Sequence, residues 1–492
     1  MTDYAVLGID FGTRNCRACV IHDNMDNIIY DDHGNRFMPS CIFYNGNEIV
    51  VGAGAVSQSK TSLSNTIFHP KHYLDHRPCL NDQNEKVKVN TNDECIEFTV
   101  DGEEGEHKVK IEEAISELFK SIFQYASQST HYDIIKTAIT VSDDLPESVY
   151  KYILKAAEIA NLPNPCIVKD SIATLLSHNM DEKTNSGKVV LLDLGASTPF
   201  LSLYTVKRGL FHLEHNKRGD SPVGDLIDNL LYPYILNEAC RKVGRGLGSN
   251  VKGINKLKQA ISLCKEKLST TNAADIVIDG LYDGMDFHFN LNRGRMDTIT
   301  RDVCNKLTTF ITSSLASMSV SPADITTVIV SGASALIPMI QSTITTVFPR
   351  ECVQFSSNPD EDNATGAAKY ANQMEMNKNI TNSDVYYNKK DIYIYLPDSL
   401  KVAIPTGIPL PTHVTLDQTI DKDIDIYPIQ ILIPKVDSTY IHIKEGTIVE
   451  VTIGANVFEG IKVKIVTMNK EEKVLYKEDH SIPIDTQHMK QN

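Results

Sequence analysis

Apolar runs that close on an acid occur twice in this chain. Val6, Leu7, Gly8 and Ile9 lead into Asp10, Phe11, Gly12 and Thr13; Val190, Leu191 and Leu192 lead into Asp193, Leu194, Gly195, Ala196 and Ser197. An alternating stretch follows each run, at 18–21 and at 200–204, so each copy reads as a strand, a tight glycine-containing turn and a returning strand. A repeat of this kind predicts two similar lobes facing each other. Helical periods come after the hairpins. Ile111, Ala114, Ile115, Leu118 and Ile122 form one apolar face of a helix over 111–127, and 148–161, 298–318 and the stretch after Pro338 behave alike. Strand and helix alternate, which makes this part α/β. Past Met376 the pattern changes. Residues 377–390 are polar and read as a linker, and 391–492 hold short alternating strands separated by Pro and Gly turns. The expected organisation is 1–376, a linker at 377–390, and a small β-domain at 391–492.

The chain has 492 residues, enough for two or three domains, and its 41% hydrophobic and 23% charged content is that of a folding protein. A net charge of -15 argues against a nucleic-acid platform. No basic segment precedes Asp10, and no apolar run nears the roughly 18 residues a spanning helix needs. A cytoplasmic protein without membrane contact is expected. The ten cysteines show no disulfide framework. Cys16 and Cys19 make one Cys-x-x-Cys, but they lie in a strand and no second pair follows; His69, His72 and His76 have no cysteine or carboxylate cluster beside them. Neither group reads as a metal site.

A turn offering backbone N–H groups beside a carboxylate suits phosphate and magnesium, since amides bind phosphate oxygens and the acid holds the metal's water shell. Asp10 with Gly12 and Thr13 supplies one half of such a site, and Asp193 with Gly195 and Thr198 the other. Each Asp-x-Gly is a common turn; two copies at lobe spacing would clamp the phosphate tail of ATP.

The surrounding residues make the chain resemble the heat shock protein 70 family. Residues 8–13 are similar to its first phosphate motif and 192–198 to its second. Residues 65–71 resemble the segment that carries its catalytic lysine, 328–338 its adenosine motif, and 358–368 its closing helix. The matches run in family order over about 370 residues. The resemblance implies an actin-like ATPase fold of two duplicated RNase H-like lobes, followed by the small β-domain. It implies ATP or ADP with magnesium: Asp10 and Asp193 at the metal, Asp170 near them, and Lys71 positioning the attacking water. Nucleotide contacts would come from Gly12, Thr13, Gly195, Thr198, Gly332, Ser334, Asp360 and Lys265.

Departures from the family pattern bear on activity. Gly195-Ala196-Ser197 stands where the family has three glycines, Phe200 where it has an acid, and Asp170 where it has a glutamate. Its two base-stacking arginines correspond to Glu266 and Leu336, and guanidinium planes stack on bases where a carboxylate cannot. The switch proline is Ser142, its arginine partner Tyr150, and the chain ends at Asn492 before any helical lid. Weak or lost hydrolysis is expected. Within the family these features are similar to the atypical, lidless fungal branch that pairs with the J-domain protein zuotin in the ribosome-associated complex and assists nascent polypeptides. Two alternatives stay open: a divergent but active ATP-dependent chaperone, and an actin-like or sugar-kinase-like protein of the same superfamily.

Overall fold

The computed structural model describes residues 4–376 apart from short stretches at 47, 60–61, 75–86, 93–94, 103–104, 182–185, 196–197, 208–209 and 221–222, and within 377–492 the backbone of a set of strands. His76, Ala196, Ser197 and most of the expected linker 377–390 therefore lie outside the described residues. Spatial proximity divides the chain into two units, Met1–Thr205 with Glu214–Met376, and Val206–Leu213 with Asn377–Asn492.

In the first lobe, β1 (Tyr4–Phe11), β2 (Asn15–His22) and β3 (Met25–Ile28) form an antiparallel meander. β4 (Asp133–Val141) lies parallel to β1, and β5 (Pro165–Lys169) parallel to β4, giving the order β5-β4-β1-β2-β3. Parallel neighbours need long crossovers, and helices supply them. They include α1 (Ile111–Ser129) and α2 (Glu147–Ile159), and α3 (Asp170–Ser177) follows β5. The five apolar positions read from the sequence on α1 are all buried, and Phe119 meets Phe11 of β1 edge to face at 5.4 Å. Glu113 accepts the Lys110 N–H at 2.9 Å and so caps the start of α1.

The second lobe repeats the plan with β6 (Ser186–Asp193), β7 (Phe200–Lys207) and β8 (Leu210–Arg218). Helices α4 (Gly224–Val243) and α5 (Val251–Thr270) come next, then the antiparallel hairpin β9 (Ala273–Tyr282) and β10 (Met285–Asn292). Asp283 and Gly284 turn that hairpin with φ of 52° and 72°, the left-handed pair a two-residue turn requires. After α6 (Arg293–Ile299) and α7 (Arg301–Ser317), β11 (Thr327–Ser331) pairs parallel with β6 and, across α8 (Pro338–Val347), with β12 (Val353–Phe355). The order is β8-β7-β6-β11-β12. Three consecutive strands and then two parallel ones occur in both sheets. This is the duplicated, actin-like ATPase fold.

One expected element differs. The helical period over 298–318 is split between α6 and α7 at Thr300, which leaves helical geometry with φ -104° and ψ 13° while its hydroxyl donates back to the Met296 carbonyl at 2.8 Å.

The last helix of the second half, α9 (Asp362–Met376), lies against the first lobe. A Cβ on Gly366 would sit 1.7 Å from the Ala173 carbonyl oxygen of α3, and one on Gly8 would sit 2.1 Å from the Ala368 nitrogen. Ala364, Ala367, Ala368 and Ala371 complete the small-residue face. Within 412–482, four strands form an antiparallel sheet, Thr412–Thr419, Ile448–Asn456, Gly460–Met468 and Val474–Ile482.

Candidate functional site

Asp10 lies one residue before the end of β1 and Asp193 is the last residue of β6, and one cavity is lined by both. Of the residues read from the sequence, the structure brings Asp10, Gly12, Thr13, Lys71, Asp170, Asp193, Gly195, Thr198, Gly332 and Asp360 to its wall. Ser334 and Lys265 are not on that wall. Ser334 buttresses the second turn from behind, its N–H donating to the Leu194 carbonyl at 3.0 Å and its hydroxyl to the Gly195 carbonyl at 3.3 Å. Lys265 of α5 is paired with Asp228 of α4 at 2.7 Å.

Local sterics shape each turn. A Cβ on Gly12 would lie 2.2 Å from the Asn15 carbonyl oxygen, so the first turn closes only with glycine there. Gly332, at φ 82°, lets the end of β11 press against Leu194 and Gly195, where a Cβ would come within 2.5 Å of the Leu194 carbonyl carbon. Gly195 itself has room for a Cβ.

Lys71 sits in a short helix, Pro70–Leu74, buried beneath the first turn. Its ammonium is 3.9 Å from Asp170 Oδ2 and 5.6 Å from the centre of the Phe11 ring. Burial pushes Asp10 up to about 6, with Asp170 adding to the rise and Lys71 and Arg17 opposing it. Asp193 is pushed up to about 7, first by burial and then by Asp170, Asp10 and Asp143. Asp143 is raised to about 6 by burial, although Ser171 donates to it from both backbone and hydroxyl. Acids this crowded and dry repel one another when ionised.

A hard divalent cation suits that set. All the donors are carboxylate oxygens, and Asp170 Oδ1 is buried without a partner. Among the described residues, no group of three or more His, Cys, Asp and Glu side chains is arranged to cage a metal. Magnesium would therefore be held through its water shell and a bound phosphate rather than by a cage of side chains. The residues fit the phosphate end of a nucleotide.

Several wall residues escaped the sequence reading. Arg14 reaches Asp225 of α4 at 2.8 Å, and Arg17 reaches Asp360 at 2.6 Å. Both stand in or beside the first turn, so their charge was visible in the sequence; what they touch was not. Arg218 arrives from the end of β8 with no local motif. It reaches Asp144 Oδ1 at 2.5 Å, donates to the Thr198 hydroxyl at 3.0 Å, and lies 5.0 Å from the centre of the Phe200 ring. Of the two positions that the resemblance matches to base-stacking arginines, Glu266 is raised by burial, with Lys265 countering, and Leu336 is 37% exposed.

Residues 6–386 match the family described as Hsp70 protein. The chain belongs to the Hsp70 family. This Hsp70 chain is similar to heat shock 70 kDa protein 14 of Bos taurus, at 26% identity over 427 residues, covering 83% of each protein. The Homo sapiens protein of that name is 26% identical over 425 residues, with the same shares. Heat shock cognate 70 kDa protein 3 of Dictyostelium discoideum is 29% identical over 377 residues, which is 74% of this chain and 60% of that one. Hsp70 proteins bind ATP or ADP with magnesium and work with J-domain co-chaperones. Among the described residues, no helix of this Hsp70 protein is long and apolar enough to cross a membrane.

Proposed function

We propose that this Hsp70 protein is an atypical, slow or non-hydrolysing member that binds ATP or ADP and serves as a stable subunit with a zuotin-like J-domain protein, acting on nascent chains at the ribosome in the cytoplasm. The observation that carries the reading is the Phe200–Arg218 pair in the wall of the cavity. By the family resemblance, an acid that organises the metal's water belongs at position 200. An aromatic ring under a guanidinium can hold no metal water.

The remaining residues have assigned work. Gly12, Thr13, Gly195 and Thr198 cradle the phosphates, Gly332 and Asp360 serve the nucleoside end with Ser334 bracing the second turn from behind, and Asp10 and Asp193 hold the water shell of magnesium. The metal would neutralise phosphate charge. Lys71, steadied by Asp170, is the residue able to orient a water against the terminal phosphate. In this reading a bound nucleotide braces the two lobes by mass action rather than driving a cycle. The β-domain, 391–492, is proposed as the docking place of the partner.

Single-turnover hydrolysis by the full chain tests the first half. Little or no product is expected over a period in which an ordinary Hsp70 protein completes its turnover. Recovery of ribosomes and a J-domain protein from native lysate at fixed stoichiometry, lost on removing residues beyond Lys390, tests the second. The second reading is a divergent but active ATP-dependent chaperone, favoured by Lys71 lying 3.9 Å from Asp170. Ordinary single-turnover rates, abolished by Lys71→Ala, would establish it instead.

A further inference from the structure

We propose that Arg218 is the residue that grips the terminal phosphate of a bound nucleoside triphosphate, so that the cavity tells ATP from ADP through an arginine on β8. The proposal rests on the reading above that this cavity takes adenine nucleotide.

The placement comes from what Arg218 touches. Its Nη1 donates to the hydroxyl of Thr198, in the second of the two turns that converge on the cavity. Its Nη2 is held by Asp144 at 2.5 Å. The neighbouring Asp143 accepts from Ser171, and Ser171 follows Asp170, which faces Lys71 across 3.9 Å. Arg218 is thus tied to the Lys71 and Asp170 side of the cavity, where the chain of phosphates would end. The other two arginines of the wall are tied to different acids, Arg14 to Asp225 and Arg17 to Asp360.

Chemistry favours the assignment. A guanidinium is charged at every working pH, and beyond the N–H given to Thr198 and the one given to Asp144 each terminal nitrogen carries a second N–H that a phosphate oxygen can accept. The Phe200 ring at 5.0 Å and Asp144 hold that plane, so little side-chain freedom remains to be lost when an anion arrives. The Arg218 side chain is 20% exposed, which shields its charge from screening while leaving it in contact with the cavity. The acids Asp10, Asp143, Asp170 and Asp193 would repel a triphosphate more than a diphosphate. A fixed cation at the far end offsets that penalty for the longer ligand.

The test is calorimetric titration of the full-length chain with ATP and with ADP, each with magnesium, on wild type, Arg218→Ala and Arg218→Lys. Arg218→Ala is expected to weaken ATP binding about 10- to 100-fold, the size of one lost charge-assisted contact, and ADP binding by less than about threefold. Arg218→Lys, which keeps the charge but not the fork, should fall between. Thermal melting of the nucleotide-free variants checks that each folds; if Arg218→Ala does not, the ATP-to-ADP ratio of Arg218→Lys decides. Equal losses for the two nucleotides, or no loss for ATP, would overturn the proposal while leaving nucleotide binding intact. Wild-type protein that takes up neither nucleotide would overturn the proposal together with the reading beneath it.

Discussion

Asp193 shows how a single side chain can cost stability for the sake of a site. Burial and neighbouring acids push it up to about 7, against about 4 for an ordinary carboxyl. Between those values the folded chain keeps a proton that the unfolded chain has released. Stability of the ligand-free protein must therefore fall as pH rises through that window and level off above it. Asn at this position cannot ionise. Asp193→Asn should be more stable than wild type without nucleotide or metal, and the gap should widen from pH 5 to pH 8 by on the order of 1–3 kcal/mol. Urea unfolding at the two pH values measures it, and a constant gap would mean that the carboxyl ionises as if in water. A bound cation competes with that proton, so added magnesium should flatten the wild-type profile.

Among the elements, α9 depends most on absent side chains. It is buried between β1 and α3 because Gly8 and Gly366 let backbone meet backbone. Gly366→Ala would force the helix off the Ala173 carbonyl, and overpacking of this kind costs about 1–3 kcal/mol. A lowered urea midpoint with unchanged slope is the expected result; an unchanged midpoint would show that α9 can shift freely. The same helix begins beside the cavity, just after Asp360 and Glu361, so a displaced α9 should also weaken nucleotide binding.

Across the first unit, arginines of the first lobe reach acids of the second half. Arg17 pairs with Asp360 at 2.6 Å, and Arg36 with Glu361 at 2.6 Å. Their worth should differ. The Arg36 side chain is 45% exposed but holds the buried Glu361 through two bonds, Nε to Oε1 at 2.6 Å and Nη2 to Oε2 at 2.8 Å, so Arg36→Ala should cost about 1–2 kcal/mol. The Arg17 side chain is 11% exposed and also opposes the charge of Asp10, so Arg17→Ala should cost about 3 kcal/mol or more by leaving charges uncompensated. Equal losses in denaturant titrations would contradict this ranking.

Much of this was legible in the linear order of residues. Strand, turn and strand around Asp10 and again around Asp193 are local patterns, set by alternation and by glycine, and they carried the duplicated fold and the two turns that line the cavity. Lys71 and Asp170 were legible through resemblance, because their segments keep family order. The sequence was silent on contacts made by residues far apart in the chain. Arg218 meets Asp144 across 74 positions and Arg17 meets Asp360 across 343, and no periodicity encodes such pairs. The break at Thr300 was hidden for a related reason: an apolar period does not mark the single residue that leaves helical geometry, and packing chooses it. Apolar periodicity reports which face of an element is buried. Which charges then share the buried cleft, and how far their protons are shifted, depends on how the two lobes close on each other.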